Sequence, residues 1–162
     1  MQLSSILHRD KAPIEALQVE ALQEILKEKL IAVVLFGSRA RKEARSFSDW
    51  DLFVLAESLP ENPIDRAFFF RERLSGRGLH ASIIARTKEE VERDLRPIYL
   101  DIAHDGIILF DPSGYMAEKL REVCRIIREV GLYRTKKRGH WIWRWREQPM
   151  PGEWSLQWRN ER

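Results

Sequence analysis

At 162 residues, with 28 Lys and Arg against 25 Asp and Glu and a formal net charge of +3, the chain has the size of one compact unit and can bury a substantial core. Its single cysteine, Cys124, excludes an internal disulfide, and no apolar run approaches the ~18 residues needed to span a bilayer. The N-terminal stretch, with Ser4-Ser5 and His8-Arg9-Asp10, has no signal-peptide pattern, so a cytoplasmic protein without membrane contact is expected. Abundant Lys, Arg and Glu beside only two Asn residues lean weakly toward a thermophilic source.

Pro13 suits a helix start, and Ile14, Leu17, Ala21, Leu22, Ile25 and Leu30 recur at helical spacing, which predicts a first helix to about Lys29. Two apolar runs, 31–36 and 52–55, read as strands on either side of a Gly37-Ser38 turn and a basic loop. Pro60 and Pro63 punctuate the loop before a helix through Phe68, Phe69 and Phe70, and Ser75-Gly76-Arg77-Gly78 breaks it. Residues 79–85 form the third predicted strand. Thr87 with Glu90 makes a capping box that opens an acidic helix over 88–94. After Pro97, a helical stretch over 99–104 stops at Gly106, and 107–110 is a short buried strand. Asp111-Pro112-Ser113-Gly114 then leads into a helix over 115–130 ended by Gly131. Helices alternating with short strands predict an α/β fold, a small mixed β-sheet with flanking helices. Cys124 reads as a small buried hydrophobe of the last helix. Asp101 and Asp105 share a helical face at i and i+4, but His104 lies off it, so the three read as a solvated helix end rather than a metal site.

The chemistry concentrates in Gly37-Ser38 and, ten residues on, Asp49-Trp50-Asp51. Strand alternation turns Asp49 and Asp51 to one face, roughly 7 Å apart along the chain. Two carboxylates on one face repel unless a cation sits between them, and hard oxygen ligands with open positions suit Mg²⁺ or Mn²⁺ carrying a polyphosphate. Gly37 lets backbone amides approach an anion, Ser38 adds a hydroxyl donor, and a short helix starting there would aim its positive end at phosphate.

Gly37-Ser38-Arg39-Ala40-Arg41 followed by Ser48-Asp49-Trp50-Asp51-Leu52 resembles the signature of the DNA polymerase beta-like nucleotidyltransferase superfamily, in particular its minimal nucleotidyltransferases, which often serve as antitoxins beside HEPN-domain toxins. The resemblance covers at least residues 31–110 and implies the polymerase beta-like nucleotidyltransferase fold. It implies that Gly37, Ser38 and Arg41 bind the triphosphate of ATP or another NTP, and that Asp49 and Asp51 bind divalent metal. It also implies passage of a nucleoside monophosphate to a hydroxyl with loss of pyrophosphate. The chain departs from the family at two places. Lys42 stands where a Gly is usual, and the third strand, Leu-His-Ala-Ser-Ile-Ile-Ala, has no acid where the family carries its third carboxylate. By alternation His80, Ser82 and Ile84 share a face, so His80 or Ser82 takes that place, His80 as a metal ligand or proton acceptor or as a hydrogen-bonded structural histidine.

Residues 1–130 carry a net charge of −2 and residues 131–162 a net charge of +5, which sets a nucleotidyltransferase domain (1–130) apart from a basic, Trp-rich C-terminal arm (131–162). Trp141, Trp143, Trp145, Trp154 and Trp158 lie in that arm. Basic and aromatic residues interleaved can bind nucleic acid. Trp141, Trp143 and Trp145 alternate, however, as a strand with one hydrophobic stripe does, which favours packing on the domain or on another chain, a homo-oligomer included. Pro149, Pro151 and Gly152 mark a turn before a final arm. Three functions follow: transfer of AMP or another nucleotide to a hydroxyl, on a partner protein by family analogy; a degenerate fold that neutralises a HEPN-type partner by binding; and a nucleic-acid binder using the basic tail.

Overall fold

Strand β1 (Leu30–Phe36) is apolar at all seven positions, so it has no face to offer water and must lie inside a sheet covered on both sides. The computed structural model, which describes residues 13–150 and 157–158, places it there. It is flanked by β2 (Asp51–Ala56) and β4 (Ile107–Phe110), both antiparallel to it, while β3 (Ser82–Thr87) runs parallel to β2 at the edge, giving the order β3-β2-β1-β4. The expected small mixed sheet is thus observed. The parallel pair needs a crossover, and helix α3 (Pro63–Ser75) supplies it.

Alternation along β1 and β2 divides the core into two layers. Val33, Leu35, Leu52 and Val54 face helix α1 (Ile14–Leu26) and α3, where they meet Leu22, Leu26 and Phe70. Val34, Phe36, Phe53 and Leu55 face the opposite layer. There they pack on Tyr99 and Ile102 of α5 (Ile98–Asp105) and on Met116, Leu120 and Val123 of α6 (Tyr115–Glu129). Asp51 continues the second register, so its side chain leaves β2 toward α5.

Local signals hold the helices at their ends. The Asn62 side chain accepts from the Ile64 amide at 2.8 Å ahead of Pro63, and the capping box of α4 (Lys88–Arg93) forms in full, with Glu90 N–H to the Thr87 hydroxyl at 3.2 Å and Thr87 N–H to Glu90 at 2.8 Å. The first helix is shorter than its apolar pattern: α1 ends at Leu26, and Lys27–Lys29 form a 3₁₀ turn. The third strand also differs from expectation. The Leu79 N–H donates to the Leu74 carbonyl at 3.0 Å, which commits 79–81 to the turn closing α3, and the strand runs from Ser82 to Thr87 instead. Cys124 is half-buried, its thiol donating to the Ala103 carbonyl at 3.3 Å across the α5–α6 contact.

After Gly131 the chain forms a hairpin, β5 (Leu132–Lys137) and β6 (His140–Trp145). Its two-residue turn, Arg138-Gly139, has positive φ at both positions (50° and 83°), the geometry that matches the twist of paired strands. The hairpin is a separate two-stranded sheet, yet Leu132, Trp143 and Trp145 join the α5–α6 core layer, so the predicted tryptophan stripe packs on the protein's own body. Trp158 stacks on Tyr99 (6.2 Å) and donates to the Val91 carbonyl at 2.6 Å. Ser4-Ser5, His8-Arg9-Asp10, Trp154 and the Pro151-Gly152 turn lie outside the described residues. Among the described residues no helix is long and apolar enough to cross a membrane.

Candidate active site

Phe36 and Asp51 are register partners, so the end of β1 delivers Gly37 directly against the first residue of β2. Gly37 has φ +72°, and a Cβ built on it would sit inside the Asp51 carboxylate. Both facts demand glycine here, one for backbone conformation and one for space. Gly37 opens the four-residue helix α2 (Gly37–Ala40), whose first amides have no acceptor within the helix. The short helix expected from the Gly-Ser turn is therefore present.

Asp51 is half-buried between this turn and β3. Burial, and behind it the charge of Asp49, pushes its carboxyl above the ordinary carboxylate value, against a hydrogen bond from the Ser82 side chain and the charges of Arg41 and Arg39. Ser82 is the register partner of Asp51, its amide donating to the Trp50 carbonyl at 2.8 Å. Ser82 is thus the β3 residue beside the carboxylate, while His80 lies two positions earlier in the loop. Asp49 precedes the strand, so alternation does not govern it. It lines a cavity of about 290 Å³ together with Arg71, His80 and Ser82, and remains near enough to Asp51 to repel it.

Two carboxylates held in mutual repulsion beside a hydroxyl are an all-oxygen donor set, and they fit a hard divalent cation that keeps waters and binds phosphate oxygens. Among the described residues no group of three His, Cys, Asp or Glu is placed to hold a metal, so no third protein acid joins them.

The sequence reading missed the residues that shape the loop. Arg39 donates to the Ser48 carbonyl at 2.6 Å and to the Asp49 carbonyl at 3.2 Å, and its guanidinium lies 4.2 Å from the centre of the Trp50 ring. It clips the far end of the basic loop to the turn and fixes the backbone that carries Asp49. An arginine directly after the turn and a tryptophan between two aspartates were the available signal. Lys42 takes φ 58°, the left-handed conformation that suits the Gly usual there in the resembling family.

Arg41 is engaged by acids: Glu43 at 3.0 Å and Asp105 at 3.5 Å. Glu43 also receives Lys136 at 2.9 Å and Trp141 Nε1 at 3.3 Å from the hairpin. Hydrogen bonds from Lys136, Arg41 and Trp141 pull its carboxyl down to about 2. A carboxyl lowered on folding adds stability above its unfolded value and loses it as pH falls through the folded one. Tryptophan fluorescence should therefore report a hairpin contact that is steady from neutral pH to about 4.5 and released as pH approaches about 2.

Asp101 and Asp105 share a face as expected, and the side chains of Asp101 and His104 reach solvent, but Asp105 is drawn into a largely buried ion pair. Arg134, whose side chain is only 4 % exposed, reaches Asp101 at 3.2 Å and Asp105 at 2.6 Å, and Trp143 Nε1 donates to Asp101 at 3.0 Å. Burial alone would raise the Asp105 carboxyl, yet hydrogen bonds from His104 and Arg134 hold it below its usual value. These acids dock the hairpin beside the site. Arg134→Ala would remove their shared cation while Trp143 still bonds to Asp101 and Arg41 and His104 stay beside Asp105, a loss on the order of 1–2 kcal/mol, expected to lower Tm by roughly 2–8 °C in a thermal melt.

Comparison with known proteins agrees with this architecture. A family model described as polymerase beta, nucleotidyltransferase, matches residues 20–111. A Methanocaldococcus jannaschii protein, provisionally named a protein adenylyltransferase, is 30% identical over 106 residues, covering 62% of this chain and 72% of its own length. The crystal structure of a toxin-antitoxin with AMP-PNP superposes with a TM-score of 0.52 at 17% identity, covering 71% of this chain and 87% of that chain. A mutant of the toxin-antitoxin MntA-HpeT gives 0.53 at 16% identity, covering 71% and 86%. Fold and site together define a nucleotidyltransferase scaffold. The chain belongs to the polymerase beta nucleotidyltransferase family.

Proposed function

We propose that the protein is a metal-dependent nucleotidyltransferase that moves AMP from ATP to a hydroxyl on a partner protein. The observation that carries this reading is the positive-φ Gly37, which leaves open the space against a carboxylate that burial and Asp49 hold in an unfavourable charged state. The provisional protein adenylyltransferase name of the M. jannaschii relative supports AMP as the transferred group. The toxin-antitoxin neighbours, one solved with AMP-PNP, share the fold, which is compatible with an adenine nucleotide as donor and a protein partner.

In this reading the amides of α2 and the Ser38 hydroxyl hold the triphosphate, with Arg41 as an added cation once it exchanges Glu43 for phosphate. Asp49 and Asp51 would hold Mg²⁺ or Mn²⁺. A divalent cation held there would neutralise charge building on the α-phosphate and the departing pyrophosphate. The acceptor oxygen forms a bond to the α-phosphorus, the bond to the bridging oxygen breaks, and pyrophosphate leaves with that electron pair. The hydroxyl proton passes to the His80 imidazole, which lines the same cavity as Asp49.

Incubation with α-labelled ATP, Mg²⁺ and the product of the adjacent gene should label that product. His80→Ala should reduce the rate by about a hundredfold with ATP binding intact, and Ser82→Asp, which places a carboxylate beside Asp51, should recover much of the loss. Tight complex formation without label would instead favour a binding module without chemistry, the reading to which the serine at position 82 lends weight.

A further inference from the structure

The triphosphate site and the cavity at Asp49 meet at the end of the sheet but do not coincide. Gly37 lies against the Asp51 carboxylate, whereas the cavity is bounded by Arg71 and Ser75 of α3, with Leu74 and Leu79 as apolar wall, and Ser82, which bonds to Asp51, lines it where the two adjoin. In phosphoryl transfer the attacking and leaving oxygens stand roughly in line, so a triphosphate seated on Gly37 and Ser38 leaves the Asp49 side for the incoming hydroxyl. The cavity volume of about 290 Å³ accommodates one side chain.

The charge at the rim is also uncommitted. Arg71 makes no hydrogen bond or ion pair to the described residues, and its guanidinium has only the Phe68 ring, 6.0 Å away. The neighbouring Arg73 is engaged, by the Phe69 carbonyl at 3.1 Å and Glu72 at 3.9 Å. One free cation faces a wall carrying the Asp49 carboxylate. That pairing repels a phosphodiester chain from the interior yet welcomes a single anion at the edge.

We propose that this cavity is the acceptor subsite and that Arg71 selects a hydroxyl-bearing protein segment with an acidic residue beside the accepted hydroxyl. The inference rests on the transferase reading above and names its substrate class. Arg71 acts as a specificity residue at the rim and takes no part in the bond exchange.

The test uses the full chain with α-labelled ATP and Mg²⁺. Two hydroxyl-bearing peptides, alike except for Glu or Lys flanks, and a single-stranded RNA with a free 3′ hydroxyl serve as acceptors. The wild type should label the Glu-flanked peptide at least about tenfold more efficiently in kcat/KM, and Arg71→Glu should reverse that preference while the ATP-induced thermal shift is unchanged. Labelling without flank preference, or a preference that survives Arg71→Glu, overturns this inference and leaves the transferase reading standing. Loss of ATP binding in Arg71→Glu would place the arginine on the nucleotide side, and preferred labelling of the RNA would assign the cavity to nucleic acid. Either result overturns the inference. Absence of label on every acceptor, the adjacent-gene product included, overturns the transferase reading and this inference with it.

Discussion

Asp51→Asn should melt at a higher temperature than the wild type in the absence of nucleotide, by roughly 2 °C, and should lose the whole Mg²⁺-dependent shift with ATP. The sign follows from the carboxyl. Burial and the charge of Asp49 raise it on folding, so the folded state binds its proton more tightly than the unfolded chain does. Its penalty is absent below the ordinary carboxylate value, grows as pH rises from there to the raised one, and is full above it. Asparagine removes that penalty. For the wild type, Mg²⁺-ATP at about a hundred times its dissociation constant would add about 2.7 kcal/mol, or roughly 5–10 °C, and EDTA should abolish most of it. An Asp51→Asn protein that keeps the full Mg²⁺-ATP shift would remove the carboxylate from the site.

Gly37→Val should lose ATP binding in calorimetry and fall in stability by about 3 kcal/mol or more. The left-handed φ of +72° is strained for a β-branched residue, by about 1–3 kcal/mol, and the new Cβ collides with the Asp51 carboxylate. The second contribution is separable. Gly37→Ala combined with Asp51→Ala should be less destabilised than the sum of the two single changes, by about 1–2 kcal/mol, since the carboxylate atoms that overlap the new Cβ most closely, Oδ2 and Cγ, are gone. Strict additivity would mean that the turn and the carboxylate are not in contact. Ser38→Ala, which removes one donor and no backbone feature, should weaken ATP binding by only about 1 kcal/mol in the same titration.

Local signals were legible wherever the residues themselves carry the constraint. The seven apolar residues of β1, the Thr87–Glu90 capping box, the Gly37-Ser38 turn and the Asp49/Asp51 pair could be read in the chain because periodicity, capping and motif spacing act over a few residues. The α/β class followed, and so did the family. The alternation of Trp141, Trp143 and Trp145 also showed a strand with one hydrophobic face.

What tertiary structure alone decided are relations between distant segments. Ser82 stands beside Asp51 because parallel pairing sets the register of β3 against β2, while the turn that captures Leu79 keeps residues 79–81 out of the strand. Asp101 and Asp105 look solvated in sequence because their partner Arg134 is about thirty residues away and joins them only when the hairpin folds back. Arg39 is likewise one more basic residue until its guanidinium meets the Ser48 and Asp49 carbonyls across the loop. A sequence specifies its own periodicity and turns, but a carboxylate's charge, a cation's partner and an acceptor's path depend on which surfaces meet. That is set by the packing of the whole chain.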